Sequence, residues 1–408
     1  MSLDSQGNTD ILGSGRPGRR RGLVAPLLRR LLSGIDAGRL TVVTPSGQRI
    51  EHRALQDGPE ALLVLHSWRA LRRVIIGGDV GFAEAYMAGE WTTPDLSSLI
   101  AVVAKNCDYL ERAILGWVPL RAFNRLLHLR NRNSKAGSRR NIAFHYDLGD
   151  DFYRLWLDRS MTYSSALFDD PAQSLEEAQL VKQARIMELL QLEGGERVLE
   201  IGCGWGSLAT RLAAGGARVT ALTLSQRQFS HTQALAATHG VAPSVETRLE
   251  DYRDSTGTFD RIVSIEMLEA VGEQYWPVYF ATLRERLNAG GRAVLQVITI
   301  AEERFDNYRR GVDFIQRYIF PGGLLPTKDL ITHHASQAGL TPVSTIPFGA
   351  SYAATLAEWR QRFLAAWPEI EQLGFPPSFR RLWQYYLAYC EAGFRTGLLD
   401  VAFYVLTG

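Results

Sequence analysis

Arg197-Val-Leu-Glu-Ile-Gly-Cys-Gly-Trp-Gly-Ser-Leu-Ala-Thr-Arg-Leu-Ala-Ala214 is the stretch that decides how the rest of this chain is read. A short apolar run meets three glycines at alternate positions, and a helical pattern of apolar residues starts at Ser207. This reads as strand, tight turn and helix. The same alternation continues outward. Ala217–Thr223 is a second strand with a helix from Ser225, and Asp260–Ile265 and Gly291–Ile298 are further strands with helices between them. Pro342–Pro347 and Val401–Val405 complete the set. Strand and helix alternating at this spacing predict an α/β fold with a doubly wound, mainly parallel sheet. Ligands of such sheets bind beyond the carboxyl ends of the strands, which is where the glycines lie. The spacing Gly202-x-Gly204-x-Gly206 lacks the last glycine of the dinucleotide pattern. Glu200, just before the turn, suits a cationic ligand better than a pyrophosphate. The competing reading of Glu200 is a plain solvated strand end. Cys203 reads as a small filler of the loop.

Upstream the chain changes character. Residues 1–22, rich in Gly, Ser and Arg, read as a disordered basic tail. Residues 23–110 read as a small α+β domain. Leu40–Val43 and Gln48–Glu51 flank a Thr-Pro-Ser-Gly turn as a hairpin, Leu62–His66 and Arg73–Ile76 extend the sheet, a short helix starts at Gly81, and Leu96–Val103 is a second helix. Residues 111–144 form a basic helix or linker, and residues 145–408 the larger domain with helical insertions.

With 408 residues, 46% of them hydrophobic and 22% charged, the chain can bury two cores. The net charge of +2 decides nothing, but its distribution is uneven. From Arg112 to Tyr146 there is no acid, while Arg112, Arg121, Arg125, Arg130, Arg132, Lys135, Arg139 and Arg140 accumulate. Such a block is either a solvated linker or a contact for an anionic membrane surface; no nucleic-acid partner is expected. The three cysteines, Cys107, Cys203 and Cys390, are too scattered for a disulfide framework or a metal site. No secretory apolar region and no membrane-length run is present, so a cytoplasmic protein is expected, touching the inner face of the membrane from the side. Homodimerisation is left open.

The segment Glu200–Gly206 resembles motif I of the class I S-adenosylmethionine-dependent methyltransferases. That resemblance implies that Gly202, Gly204 and Gly206 line the methionine part of the cofactor and that Glu200 helps hold it. Thr223, Leu224 and Gln228 then stand where such folds bind the ribose, and Glu250, Asp251 and Tyr252 where they contact adenine. Longer segments resemble one family, the cyclopropane fatty acid synthases. They are His145-Tyr-Asp-Leu-Gly-Asp-Asp-Phe152, Met161-Thr-Tyr-Ser-Ser-Ala166, Glu266-Met-Leu-Glu-Ala-Val-Gly272, Tyr318-Ile-Phe-Pro-Gly-Gly-Leu-Leu-Pro326 and Arg362-Phe-Leu-Ala-Ala-Trp-Pro-Glu369. The resemblance implies methylene transfer from S-adenosylmethionine to the cis double bond of unsaturated phospholipid acyl chains, with Tyr163 and Ser164 closing over the cofactor.

That chemistry makes definite demands. An alkene has no proton to lose first, so the site must align it with the sulfonium and exclude water. The resulting carbocation is stabilised by aromatic faces, for which Tyr146, Phe152, Tyr163, Tyr318, Phe320 and Tyr352 are candidates. A base must finally remove a proton. The resemblance implies bicarbonate for this step, held by Glu269 and Tyr352. Ser165, Ala270 and Gln296 replace the Cys, His and His of the best-known bacterial members and resemble the plant-type branch. Ser165 and Gln296 still supply hydrogen-bond donors. Glu266, in place of a small residue, is a second acid–base candidate. The alternatives are C-methylation of the same chains to methyl-branched or methylene products, N-methylation of a small amine, and a lipid-binding protein without catalysis.

Overall fold

The computed structural model describes residues 24–115 and 148–408. The expected tail, nearly all of the basic linker, and Tyr146 lie outside these residues. The first domain holds a four-stranded sheet of β1 (Ala37–Val43), β2 (Arg49–Arg53), β3 (Gln56–Leu65) and β4 (Trp91–Thr92), in the order β2-β1-β3-β4. β1 and β2 form the hairpin anticipated around Thr-Pro-Ser-Gly, while β3 runs parallel to β1.

Arg73–Ile76 is not a strand. It belongs to the helix Arg69–Met87, which is broken at Gly78 with φ 59° and ψ −131°. Glycine takes that conformation freely. The two halves meet so closely that a Cβ on Gly81 would lie 2.0 Å from the Arg73 carbonyl oxygen. The apolar run Val74-Ile75-Ile76 fits either strand or helix, and the Gly77-Gly78 break that turns it into a helix end is a tertiary feature. The helix Leu96–Lys105 forms as expected, capped by Asp95, whose carboxylate accepts from the Ser98 amide.

The second sheet contains β5 (Arg197–Ile201), β6 (Arg218–Thr223), β7 (Val245–Leu249), β8 (Phe259–Ile265), β9 (Leu287–Ile300), β10 (Thr341–Pro347) and β11 (Leu399–Thr407), in the order β10-β11-β9-β8-β5-β6-β7. β5 to β9 are parallel and β11 enters antiparallel to β9. This is the doubly wound sheet predicted from the glycine turn. Strand order reverses between β5 and β8, so a crevice opens beyond their carboxyl ends. Successive residues of each central strand enter opposite cores: Val198, Val263 and Val294 one, Leu199, Ile262 and Leu295 the other. Burial on both faces explains why these strands read as unbroken apolar runs. The first core continues into the N-terminal domain through Val42 and Leu99, and takes in Trp156, Trp359 and Trp383. No helix among the described residues is long and apolar enough to cross a membrane.

Candidate active site

β5 and β8 pair with Glu200 opposite Val263 and Ile201 opposite Ser264. β9 pairs with β8 so that Gln296 lies opposite Ile265. The register therefore brings Glu200, Glu266 and Gln296 to one end of the sheet. A cavity of about 760 Å³ opens there, walled by the glycine loop, by Tyr163 and Ser164, and by Glu266, Glu269 and Tyr352.

Gly202, Gly204 and Gly206 have φ of 83°, 52° and 86°, a region that side chains disfavour. Their parts differ. The amides of Gly202 and Cys203 both donate to the Leu222 carbonyl, so they tie the loop to β6 and are not free for a ligand. A Cβ on Gly206 would come within 2.7 Å of Thr232, which makes Gly206 a packing glycine away from the cavity wall. Gly204 alone of the three faces open space, with nothing within 4 Å of a Cβ there.

Glu200 is 3% exposed and its Oε2 has no partner. Burial pushes its carboxyl up to about 8, and the Lys182 charge opposes that rise. Lys182 also lines the cavity, and sequence reasoning missed it. It is buried, its Nζ donates to Ser164 Oγ at 2.7 Å, and burial pulls its ammonium down to about 8 against the charges of Glu266, Asp158 and Glu200. Its signal was present in the sequence. In the helix Leu175–Leu190 it lies midway between Ala178 and Ile186 at steps of four, on the buried stripe.

Thr223, Leu224, Gln228, Glu250 and Tyr252 all reach the wall. The Thr223 hydroxyl donates to Gln228 Oε1 at 2.7 Å, and the Gln228 amide nitrogen and the Tyr252 hydroxyl are both buried without a partner. Asp251 does not reach the wall. Its carboxylate turns back to the Arg253 guanidinium at 2.6 Å and caps the turn Tyr252–Asp254. Of the aromatic candidates, Tyr163, Phe320 and Tyr352 line the cavity. Phe152 instead sits in the aromatic core against Trp156, Phe375 and Trp383, and Tyr318 donates to Glu84 of the N-terminal domain. Tyr385, Tyr386 and Tyr389, unpredicted, join the wall from the helix Pro377–Arg395. Tyr386 and Tyr163 share a hydrogen bond of 2.8 Å between their hydroxyls.

The donors expected to hold bicarbonate hold a carboxylate of the chain itself. The Ser165 amide and Gln296 Nε2 donate to Glu266 Oε1 at 2.8 and 2.7 Å, and the Tyr352 hydroxyl donates to Glu266 Oε2 at 2.7 Å. The Ser165 hydroxyl turns to the Ala166 carbonyl, and neither Ser165 nor Gln296 borders the cavity. A second anion does not fit those donors. Glu266 has φ 48°, a left-handed conformation rare for a side-chain-bearing residue, which is the backbone bend that brings its carboxylate to them. Glu269 stands nearby with no side-chain donor; the Ile298 amide donates to its Oε1 at 2.5 Å, and its Oε2 is buried without a partner. Burial, then the Glu266 charge, pushes the Glu269 carboxyl up to about 8. Burial also raises Glu266, but Ser165, Tyr352, Lys182 and Gln296 all oppose the rise. The donors around Glu266 favour its charged form, whereas burial and the Glu266 charge favour the neutral form of Glu269.

Comparison with known proteins shows the family. Residues 133–404 match the mycolic acid cyclopropane synthetase family model. The chain belongs to this family. It is 42% identical over 349 residues to tuberculostearic acid methyltransferase UfaA1 of Mycobacterium tuberculosis, covering 83% of this chain and 81% of the relative. It is 37% identical over 331 residues to the cyclopropane-fatty-acyl-phospholipid synthase of Escherichia coli, covering 79% and 82%. The crystal structure of mycolic acid cyclopropane synthase CmaA1 with SAH and CTAB superposes with a TM-score of 0.63 at 31% identity, covering 66% of this chain and 98% of that one. Coclaurine N-methyltransferase shares the fold alone, with a TM-score of 0.63 at 18% identity over 81% of this chain and 99% of that one. As a mycolic acid cyclopropane synthetase family member the chain is an S-adenosylmethionine-dependent enzyme of one-carbon transfer to unsaturated acyl chains. The unpartnered Glu200 Oε2, Gln228 Nε2 and Tyr252 hydroxyl, with the open space over Gly204, fit a polar, partly cationic cofactor.

Proposed function

We propose that the chain converts the cis double bond of an unsaturated phospholipid acyl chain to a cyclopropane, with Glu266 as its resident base. When bound, S-adenosylmethionine supplies the electrophilic one-carbon unit. Glu200 offers a carboxylate to the cationic methionine part, Gln228 a donor to the ribose, and Glu250 and Tyr252 a wall to the adenine. Tyr163, fixed by Tyr386, and Ser164, fixed by Lys182, close the cofactor side. Tyr163, Phe320 and Tyr352 present aromatic faces to positive charge on the reacting chain.

The observation that carries the reading is the Glu266 carboxylate, bound by three donors in the wall of a largely apolar cavity. Oε1 already accepts two hydrogen bonds, whereas Oε2 accepts only that of Tyr352 and keeps a free lone pair. The proton leaving the added carbon goes to Oε2, and the electron pair of the broken C–H bond closes the ring. Glu266→Gln should keep S-adenosylhomocysteine affinity and lose turnover by roughly 10²-fold or more. Removing dissolved bicarbonate should leave the parent rate unchanged. A parent-like rate for Glu266→Gln, or a parent rate that follows bicarbonate, assigns the base elsewhere, with Glu269 next in line.

A second reading, C-methylation that leaves an open chain, is favoured by the 42% identity to a relative named a methyltransferase. Product NMR separates the two, because both add the same mass. Contact of the enzyme with anionic membrane is part of this proposal, since the acyl chains reside there.

A further inference from the structure

The reaction cavity does not end at the catalytic domain. It runs into the N-terminal domain, where Leu40, Leu63 and Leu99 extend its apolar wall, and reaches the helix Arg69–Met87 at Leu71, Val74 and Ile76. The CmaA1 structure, covered over 98% of its length, aligns with only 66% of this chain, so a domain of this kind is an addition to that core. At the rim the helix breaks at Gly78, and Gly77 and Gly78 line the opening together with Asp79. Ile75 and Ile76, each 43% exposed, are the one adjacent pair among the large exposed apolar side chains of the described residues. Arg72, three residues before Ile75, and Arg69, two helical turns before Ile76, are exposed on the same side. Arg73 is held by Glu90 and Glu84 at 3.1 and 3.6 Å and belongs to the protein's own packing.

We infer that this half-helix is the membrane-docking surface. Ile75 and Ile76 seat in the interface of an anionic bilayer, Arg69 and Arg72 meet its phosphates, and an acyl chain passes from the rim through the N-terminal domain to Glu266. Apolar side chains flanked by arginines on one helix face are what an interfacial helix requires. Continuity with the reaction cavity selects lipid over a protein partner. The inference rests on the acyl-chain reading above.

The test uses the full chain and vesicles of phosphatidylglycerol and phosphatidylethanolamine with cis-unsaturated tails. Ile75→Asp, and separately Arg69→Gln with Arg72→Gln, should each weaken vesicle binding about tenfold at low salt. The turnover loss should appear at low lipid concentration and close at saturation, a change in KM and not kcat. Retained S-adenosylhomocysteine affinity verifies folding, and Arg72→Gln alone is the mild variant should the others not fold. Variants that bind and turn over as the parent does overturn the surface. A parent that binds vesicles but modifies no acyl chain overturns the function reading and leaves the docking surface standing.

Discussion

At the scale of single residues the site is organised by an unequal pair of acids. Glu266 gathers a backbone amide, a glutamine and a tyrosine, whereas Glu269 is bonded by backbone alone. In a water-poor pocket two carboxylates this close do not both ionise, and the better-bonded one keeps the charge. This has a consequence for stability. Glu269 titrates at about 8 in the fold against an ordinary 4.5. Between those values the native state holds a proton that the unfolded chain has released, so stability falls as pH rises through that window. The melting temperature of the cofactor-free protein should therefore drop from about pH 5 to about pH 8, and drop less in Glu269→Gln. A scan in which the two proteins decline in parallel rules out this assignment. Glu200 is the second such residue. Glu200→Gln should weaken S-adenosylmethionine binding about tenfold or more by calorimetry, as one charge-assisted contact is worth about 1.5–3 kcal/mol.

At the scale of elements the glycine turn divides its labour. Gly206 precedes the helix Ser207–Ala214 with Thr232 packed behind it, so Gly206→Ala should cost about 1–3 kcal/mol of stability, seen as a lower denaturation midpoint. Gly204 has open space above it, so Gly204→Ala should cost only about 1 kcal/mol for its φ of 52°. In the proposed site its methyl group would intrude on the cofactor, so affinity should fall further than stability. Equal losses of stability in the two variants would contradict this division. The kinked helix Arg69–Met87 belongs to the same scale, since one glycine break makes half of it a rim and the other half a buried packing element.

At the scale of the whole molecule the helix Pro377–Arg395 joins the two domains. Its Tyr385, Tyr386 and Tyr389 wall the cavity, while Gln384 accepts from the Tyr86 hydroxyl and Arg381 donates to the Tyr86 carbonyl. Glu391, fully buried, accepts from Ser97 across the interface at 2.7 Å and pairs with Arg360 and Arg395 at 2.9 and 2.8 Å. Glu391→Ala leaves a serine and two guanidiniums without their acceptor. It should cost about 3 kcal/mol, somewhat moderated by the partial exposure of the arginines. Because the first core spans both domains, they should unfold together, and the variant should shift a single transition. Two separated transitions in calorimetry would show that the domains are not coupled in this way.

The sequence by itself determined the sheet and the glycine turn, because each is local, whereas Glu266 and Glu269 were singled out by the resemblance to the family. Apolar runs punctuated by glycine fix strand and turn. The hairpin Ala37–Arg53 was legible for the same reason. Tertiary structure decided which acid takes which donor. Ser165, Gln296 and Tyr352 come from a loop, a strand and a helix far apart in the chain, and only the fold brings them to Glu266. It also decided that Asp251 turns to Arg253 and that Phe152 packs in the core, since residue type does not give a side chain its direction. The burial of Lys182 and the reach of the cavity into the N-terminal domain were tertiary outcomes as well. A shared cavity is a property of how two domains pack, and that packing arises from contacts between residues that no local pattern pairs.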